Sequence, residues 1–287
     1  MNKYPLTVLK SALMLMIVIV VIVIWSGLSY VFIGGILDSE TESSPESVSD
    51  SGSDYENCNV YGINLHGTLL TYVPEHAEGD SYFNYDVTSS ESVTNIIRHV
   101  NMDPDMKAMV IEVDSIGGSP VAGEEIANAI KNSKKPVIAF IRDIGVSAAY
   151  WAISPADKIL ASRNSDVGGI GVTASYLSNA GNNQKEGYSY EVLSSGKYKD
   201  SGSPDKALTA EERALILRDV NIIHDNFVED VSLNRDISRE IVGSIADGSS
   251  VLGDKAKSLG LIDEIGGLDE AKAILKDMIG EDPEICW

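Results

Sequence analysis

The chain has 287 residues and carries 43 Asp and Glu against 22 Lys and Arg, a net charge of −21. So acidic a surface repels a phosphate backbone and no basic stripe interrupts it, which argues against DNA or RNA as a partner. Two cysteines, Cys58 and Cys286, are too few for a disulfide framework and lack zinc-ligand spacing. One bridge between them and two unrelated thiols both remain open.

Residues 12–25 read ALMLMIVIVVIVIW, and no charge falls between Lys10 and Asp38. Crossing a bilayer takes about 20 apolar residues, so residues 1–37 read as a cytoplasmic N-terminus followed by one transmembrane helix. Lys3 and Lys10 precede the run, while Asp38, Glu40, Glu42 and Glu46 follow it. The positive-inside rule then keeps the N-terminus in the cytoplasm and puts the rest outside, in a single-pass protein of the cell membrane. A cleaved signal peptide would have a core of about 7–15 residues and a small-x-small site, and neither fits. Residues 38–57 (DSETESSPESVSDSGSDYEN) are Ser-rich and acidic, too poor in large apolar residues to offset ordering entropy, and predict a disordered linker.

Residues 58–287 predict one domain, about the size that buries a single core. Apolar runs at 59–65, 107–113, 136–141 and 158–161, with a weaker one at 189–194, predict strands. Amphipathic stretches at 89–100, 120–132 and 147–154 predict helices between them. The alternation implies βαβ units around a largely parallel sheet, and VIEV and VIAFI suit strands covered on both faces. Thr209-x-x-Glu212 has the form of a capping box opening a long helix. From 238 to 280 the pattern is of short helices broken by glycines.

The chemistry gathers at three places. In PVIAFIRDIGVSAAYWAI (136–153) a strand ending near Ile141, a short turn and an apolar helix put Ser147 at a helix N-terminus, where free N–H groups favour a developing anion. Serving only as an N-cap is the competing role for that serine. The segment DSIGG (114–118), read as a turn after the strand KAMVIEV, can aim backbone N–H groups into a cleft as an oxyanion hole requires. A base is less evident. His66, His76, His99 and His224 lie in no triad context, and neither G-x-S-x-G nor H-E-x-x-H occurs. A serine enzyme can use lysine instead, provided burial lowers its pKa from about 10.4 towards neutrality. Lys197 and Lys199 in SSGKYKDSGSP are the candidates, and spacing does not choose between them.

At these residues the chain resembles the signal peptide peptidase A family, also called protease IV, in its short single-domain anchored form. Four blocks carry the resemblance: DSIGG (114–118); GVSAAYWAISPADKILA (145–161) with VGGIGV (167–172); SGKYKDSGSPDKALTAEER (195–213); and DGSSVLGDKAKSLGLIDEIGGLDEA (247–271). The resemblance implies a Clp-protease/crotonase-like α/β spiral and Ser147 as nucleophile. It also implies Lys199, rather than Lys197, as general base, and Gly118 with Gly117 at the oxyanion hole. It further implies a homo-oligomeric ring in which serine and lysine can come from neighbouring subunits, no cofactor or metal, and remnant signal peptides and other membrane-derived apolar peptides as substrates. Three positions depart from the family pattern: Ile116 where proline is usual, Ala148 and Ala149 where glycines follow the serine, and Gly169 where a serine is usual. An inactive membrane scaffold and a crotonase-like acyl-CoA enzyme are the alternatives. A dinucleotide fingerprint at Gly169-x-Gly171-x-x-Ala174, with Glu191 beyond it, lacks the strand and helix that such a site needs.

Overall fold

The computed structural model describes residues 58–73 and 86–287. The expected membrane helix, the linker and His76 lie outside them. Among the described residues no helix is long and apolar enough to cross a membrane.

The fold is α/β, built on a nine-stranded, mainly parallel sheet. Its main path runs β2 (Val87–Ser89), β1 (Val60–Leu70), β3 (Ala108–Gly118), β4 (Val137–Val146), β5 (Lys158–Ala161) and β8 (Glu264–Ile265). β6 (Asp166–Gly168) pairs with the far end of β4, and antiparallel with β7 (Ser250–Leu252). β9 (Ile285–Cys286) pairs with the start of β1. There Cys58 and Cys286 form a disulfide, so the bridge is the alternative that holds.

The pattern of each strand explains its setting. Met109, Ile111 and Val113 of β3 point to one face, beneath α1 (Ser90–Met102), α2 (Pro120–Lys131) and α3 (Ala148–Ile153), in the main core. Val110 points to the other face and meets Ala271 and Leu275 of α8 (Leu268–Ile279). Both faces being covered, VIEV and VIAFI could be continuous apolar runs. α1 and α2 start on Ser89 and Ser119, whose hydroxyls accept from Ser92 and Ala122 amides. The long α5 (Ala210–Arg235) opens on the expected capping box of Thr209 and Glu212 and packs Phe227, Val228 and Val231 into the main core. α6 (Arg239–Ile245) and α7 (Gly253–Leu259) follow as short helices, α7 ending on left-handed Gly260.

Three expectations are corrected. DSIGG is not a turn: β3 continues through it to Gly118, with a register shift against β1 between His66 and Thr68 and against β4 between Val113 and Ser115, pairing Thr68 with Gly117 and Leu69 with Gly118. β4 likewise runs past Ile141 to Val146, because its outer edge, after pairing with β5, is taken up by β6. Residues 189–194 form no strand; they are exposed, and no sheet edge is offered to them. The short α4 (Ala180–Lys185) precedes them.

Candidate active site

β4 ends where α3 begins, and Ser147 is the joint. Its backbone takes φ 55° and ψ −133°, a region costly for a residue with a Cβ, of order 1–3 kcal/mol. The strain is held from both sides: the Ser147 amide donates to the Gly168 carbonyl at 2.8 Å, and its carbonyl accepts from the Trp151 amide at 3.0 Å. Although Ser147 stands at the N-cap position, its hydroxyl makes no capping bond. A serine kept only to cap would adopt an ordinary extended backbone and bond the first turn, as Ser89 and Ser119 do. The geometry therefore disfavours that role and leaves the hydroxyl available.

Ser147 opens on a cavity of about 330 Å³. Its apolar wall is Trp151, Phe227, Ile223, Val220 and Val172, and the Gly171–Ala174 segment forms one rim. Trp151, one helical turn from the serine, stacks on Phe227 with ring centroids 4.6 Å apart and 5° between planes. Its indole N–H donates to Asp230 at 2.8 Å, fixing the ring. Neither aromatic residue stood out in the sequence as part of a site. The available signal was the i, i+4 spacing of Ser147 and Trp151 on a short apolar helix.

The two glycines of β3 differ. Gly118 lines the cavity with Ser147, and Leu69 crowds it so closely that an added Cβ would lie 2.2 Å from the Leu69 carbonyl oxygen. Gly117, at φ 87°, lies against the serine itself, where an added Cβ would fall 2.8 Å from Ser147 Cβ and from the Ala148 amide. Its N–H is already used, donating to the Ser115 hydroxyl at 3.1 Å, and that hydroxyl donates to the Gly67 carbonyl at 2.6 Å. Ser115, buried and not singled out from sequence, thus ties the glycine strand to β1. The alanines after the serine are accommodated by another glycine: a Cβ on Gly123 of α2 would lie 2.7 Å from the Ala148 carbonyl oxygen.

Among the described residues, no lysine or histidine lines the Ser147 cavity; the ionisable residue that does is Asp219, and Arg218 pairs with it at 2.8 Å. His66 bonds Glu112, His224 meets the Ala246 carbonyl, and His99 is exposed. None of the three lines this cavity. Lys197 and Lys199 lie on the exposed segment before α5. The Lys197 ammonium is held by Glu211 at 2.6 Å, which pushes its pKa up, the wrong direction for a base. Lys199 makes no ion pair among the described residues.

The β6 strand does stand immediately before Gly169, but residues 169–179 contain no helix, so the dinucleotide reading lacks its anion-binding helix.

The sequence pattern of peptidase family S49 matches residues 129–280. A Methanocaldococcus jannaschii protein bearing a protease name is 32% identical over 214 residues, which cover 74% of this chain and 69% of that one. The chloroplastic serine protease SPPA of Arabidopsis thaliana is 32% identical over 190 residues, 65% of this chain and 28% of its own. Protease 4 of Haemophilus influenzae is 29% identical over 212 residues, 73% of this chain and 33% of its own. The chain thus spans less than half the length of the last two. Among solved structures, a Listeria monocytogenes ClpP1 mutant gives a TM-score of 0.48 at 14% identity, covering 73% of this chain and 92% of that one. The chain belongs to peptidase family S49, the signal peptide peptidase A or protease IV family of serine peptidases.

Proposed function

We propose that the chain is a membrane-anchored endopeptidase in which Ser147 is the nucleophile, Lys199 the general base and Gly118 an oxyanion donor, acting on remnant signal peptides and other apolar peptides. The observation that carries it is the strained, uncapped Ser147 facing an apolar cavity. Lys199 takes the serine proton and the alkoxide attacks the peptide carbonyl. The Gly118 N–H then meets the developing oxyanion, a contact worth about 10²–10³ in rate. Protonated Lys199 passes its proton to the leaving amine, and water releases the acyl group.

Among the described residues of one chain, the Ser147 cavity holds no lysine or histidine and Lys199 lies on the exposed arm. The reading that reconciles them is a ring of copies in which Lys199 of one subunit serves Ser147 of the next, in a Clp-like assembly. Apposition to apolar substrate and protein would desolvate Lys199 and lower its pKa as the mechanism needs. The Trp151–Phe227 wall favours an apolar side chain next to the cut. The Cys58–Cys286 bridge fits an oxidising compartment, which supports a single-pass protein with residues 1–37 as anchor, 38–57 as tether and the catalytic domain outside the cytoplasm. Cleavage of a leucine-rich signal peptide by the full chain in detergent, lost in Ser147→Ala, tests the nucleophile. Wild-type cleavage by that variant would remove it.

A further inference from the structure

We propose that Asp200 and Lys206 are positioning residues that hold Lys199 at a set place on the arm formed by residues 173–206. The inference rests on Lys199 being the base.

Residues 184–199 are exposed throughout, yet Asp200 and Lys206, just beyond the lysine, are half-buried. Asp200 Oδ1 accepts from the Tyr190 hydroxyl at 2.9 Å, and Oδ2 faces Lys206 Nζ at 3.5 Å. Lys206 Nζ also donates to Glu212 Oε1 at 2.5 Å. Glu212 is only 3% exposed, and its other oxygen accepts from the Thr209 amide and hydroxyl, both at 2.9 Å. A continuous line of contacts therefore runs from the first turn of α5 through Glu212, Lys206 and Asp200 to the backbone that carries Lys199.

The helix does not need this line. Its capping box is complete with Thr209 and Glu212 alone. Asp200 Oδ2 is moreover buried without a hydrogen bond. Its one charged neighbour among the described residues is the Lys206 ammonium at 3.5 Å, and a loop kept only for its path would turn so buried a carboxylate oxygen out to water. The neighbouring Lys197 shows the alternative: its ammonium is bound to Glu211, outside the line. The strut thus reaches the residue next to Lys199, whose ammonium makes no ion pair among the described residues.

The test uses the full chain in detergent and a leucine-rich signal peptide, measuring kcat and KM separately. Asp200→Asn and Lys206→Gln are each expected to lower kcat by roughly 10–100-fold, the penalty for a loosely placed catalytic group. KM and oligomeric mass should stay near wild type in both, as should the thermal midpoint of Asp200→Asn, whereas Lys206→Gln also removes the counterion of Glu212 and should lower its midpoint. Asp200→Asn keeps the Lys206–Glu212 pair and the capping box, so it guards against a folding defect. Lys206→Arg can keep both ion pairs and should restore most of the rate. Unchanged kcat in Asp200→Asn and Lys206→Gln overturns the proposal, as does a loss confined to KM or, in Asp200→Asn, one that tracks a lower midpoint. Lys199→Arg separates the two readings. If it abolishes turnover while the strut variants are normal, the strut alone fails. If Lys199→Arg keeps turnover, the base assignment fails and the strut with it.

Discussion

The serine and lysine halves of the proposed site are built in opposite ways. Ser147 closes a ten-residue strand at the edge of the main core, and its unusual backbone is held by Gly168 on one side and Trp151 on the other. Lys199 projects from an exposed arm, held at its base by side-chain bonds such as Tyr176 hydroxyl to Ser203 carbonyl at 2.7 Å. Strain persists only where the surroundings over-determine it, so a strained nucleophile has to sit on the rigid half. A lysine that serves a neighbouring copy, as proposed, has to sit on the half that reaches outwards.

The largest effect tests that division directly. Ser147→Ala and Lys199→Arg should each lower turnover by about 10⁵-fold or more, since members of one catalytic unit fail together. Mixed and reassembled one to one, the two inactive variants should recover about a quarter of wild-type activity if each site draws on two subunits of a symmetric ring. Absence of recovery in a verified mixed oligomer would place serine and lysine in the same subunit and break the comparison.

Gly117→Ala probes the rigid half. The new Cβ would press on Ser147 Cβ and two backbone atoms at 2.8–2.9 Å, at a φ of 87° that side chains avoid. The strand must then withdraw from the β4–α3 joint, taking Gly118 from the cavity. Activity should fall by about 10²–10³, as for a lost oxyanion donor. Wild-type kcat in this variant would mean that the glycine strand takes no part.

What could be read from sequence divides along the same line. β1, β3, β4, β5 and the first three helices were legible because each buries an apolar face whose period shows in the residues, and α5 because Thr209 and Glu212 announce its start. The strand extension through Ser115–Gly118 was hidden: small polar residues and glycines read as a turn, and only pairing with β1 makes them strand. β6 to β9 are two or three residues long, too short for any period. Ser147 and the two lysines were visible as candidates. The Trp151–Phe227 wall was not, because it joins residues on two helices that no local pattern relates.

The arm should respond to acid through its anchor. Lys206 and then Thr209 hold the Glu212 carboxyl down from its ordinary 4.5 to about 2. A depressed carboxyl stabilises the fold fully above 4.5 and loses that contribution as pH falls towards 2. The difference in thermal midpoint between wild type and Glu212→Gln should therefore be constant near neutrality and shrink across that window. A difference that persists undiminished at pH 2 would show that the ion pair does not anchor the arm.

The smallest expected effect lies at Gly169, where the family usually has serine. Its φ of 55° is open to an L-residue at about 1 kcal/mol. A Cβ there would meet Val146 Cβ at 2.9 Å, a contact that no rotation of the valine relieves, so the 169 backbone or the end of β4 must shift beside the Ser147 amide 3.4 Å away. Gly169→Ser should therefore fold, lose about 1–3 kcal/mol by chemical denaturation, and stay within about tenfold of wild-type turnover because Gly168 and Trp151 still hold the Ser147 backbone. A loss beyond that range would mean that the Val146 shift reaches Ser147, and the rigid half would be softer than its hydrogen bonds imply. A gain beyond tenfold would mean that the added hydroxyl orients the incoming lysine, a task this chain otherwise leaves to the arm.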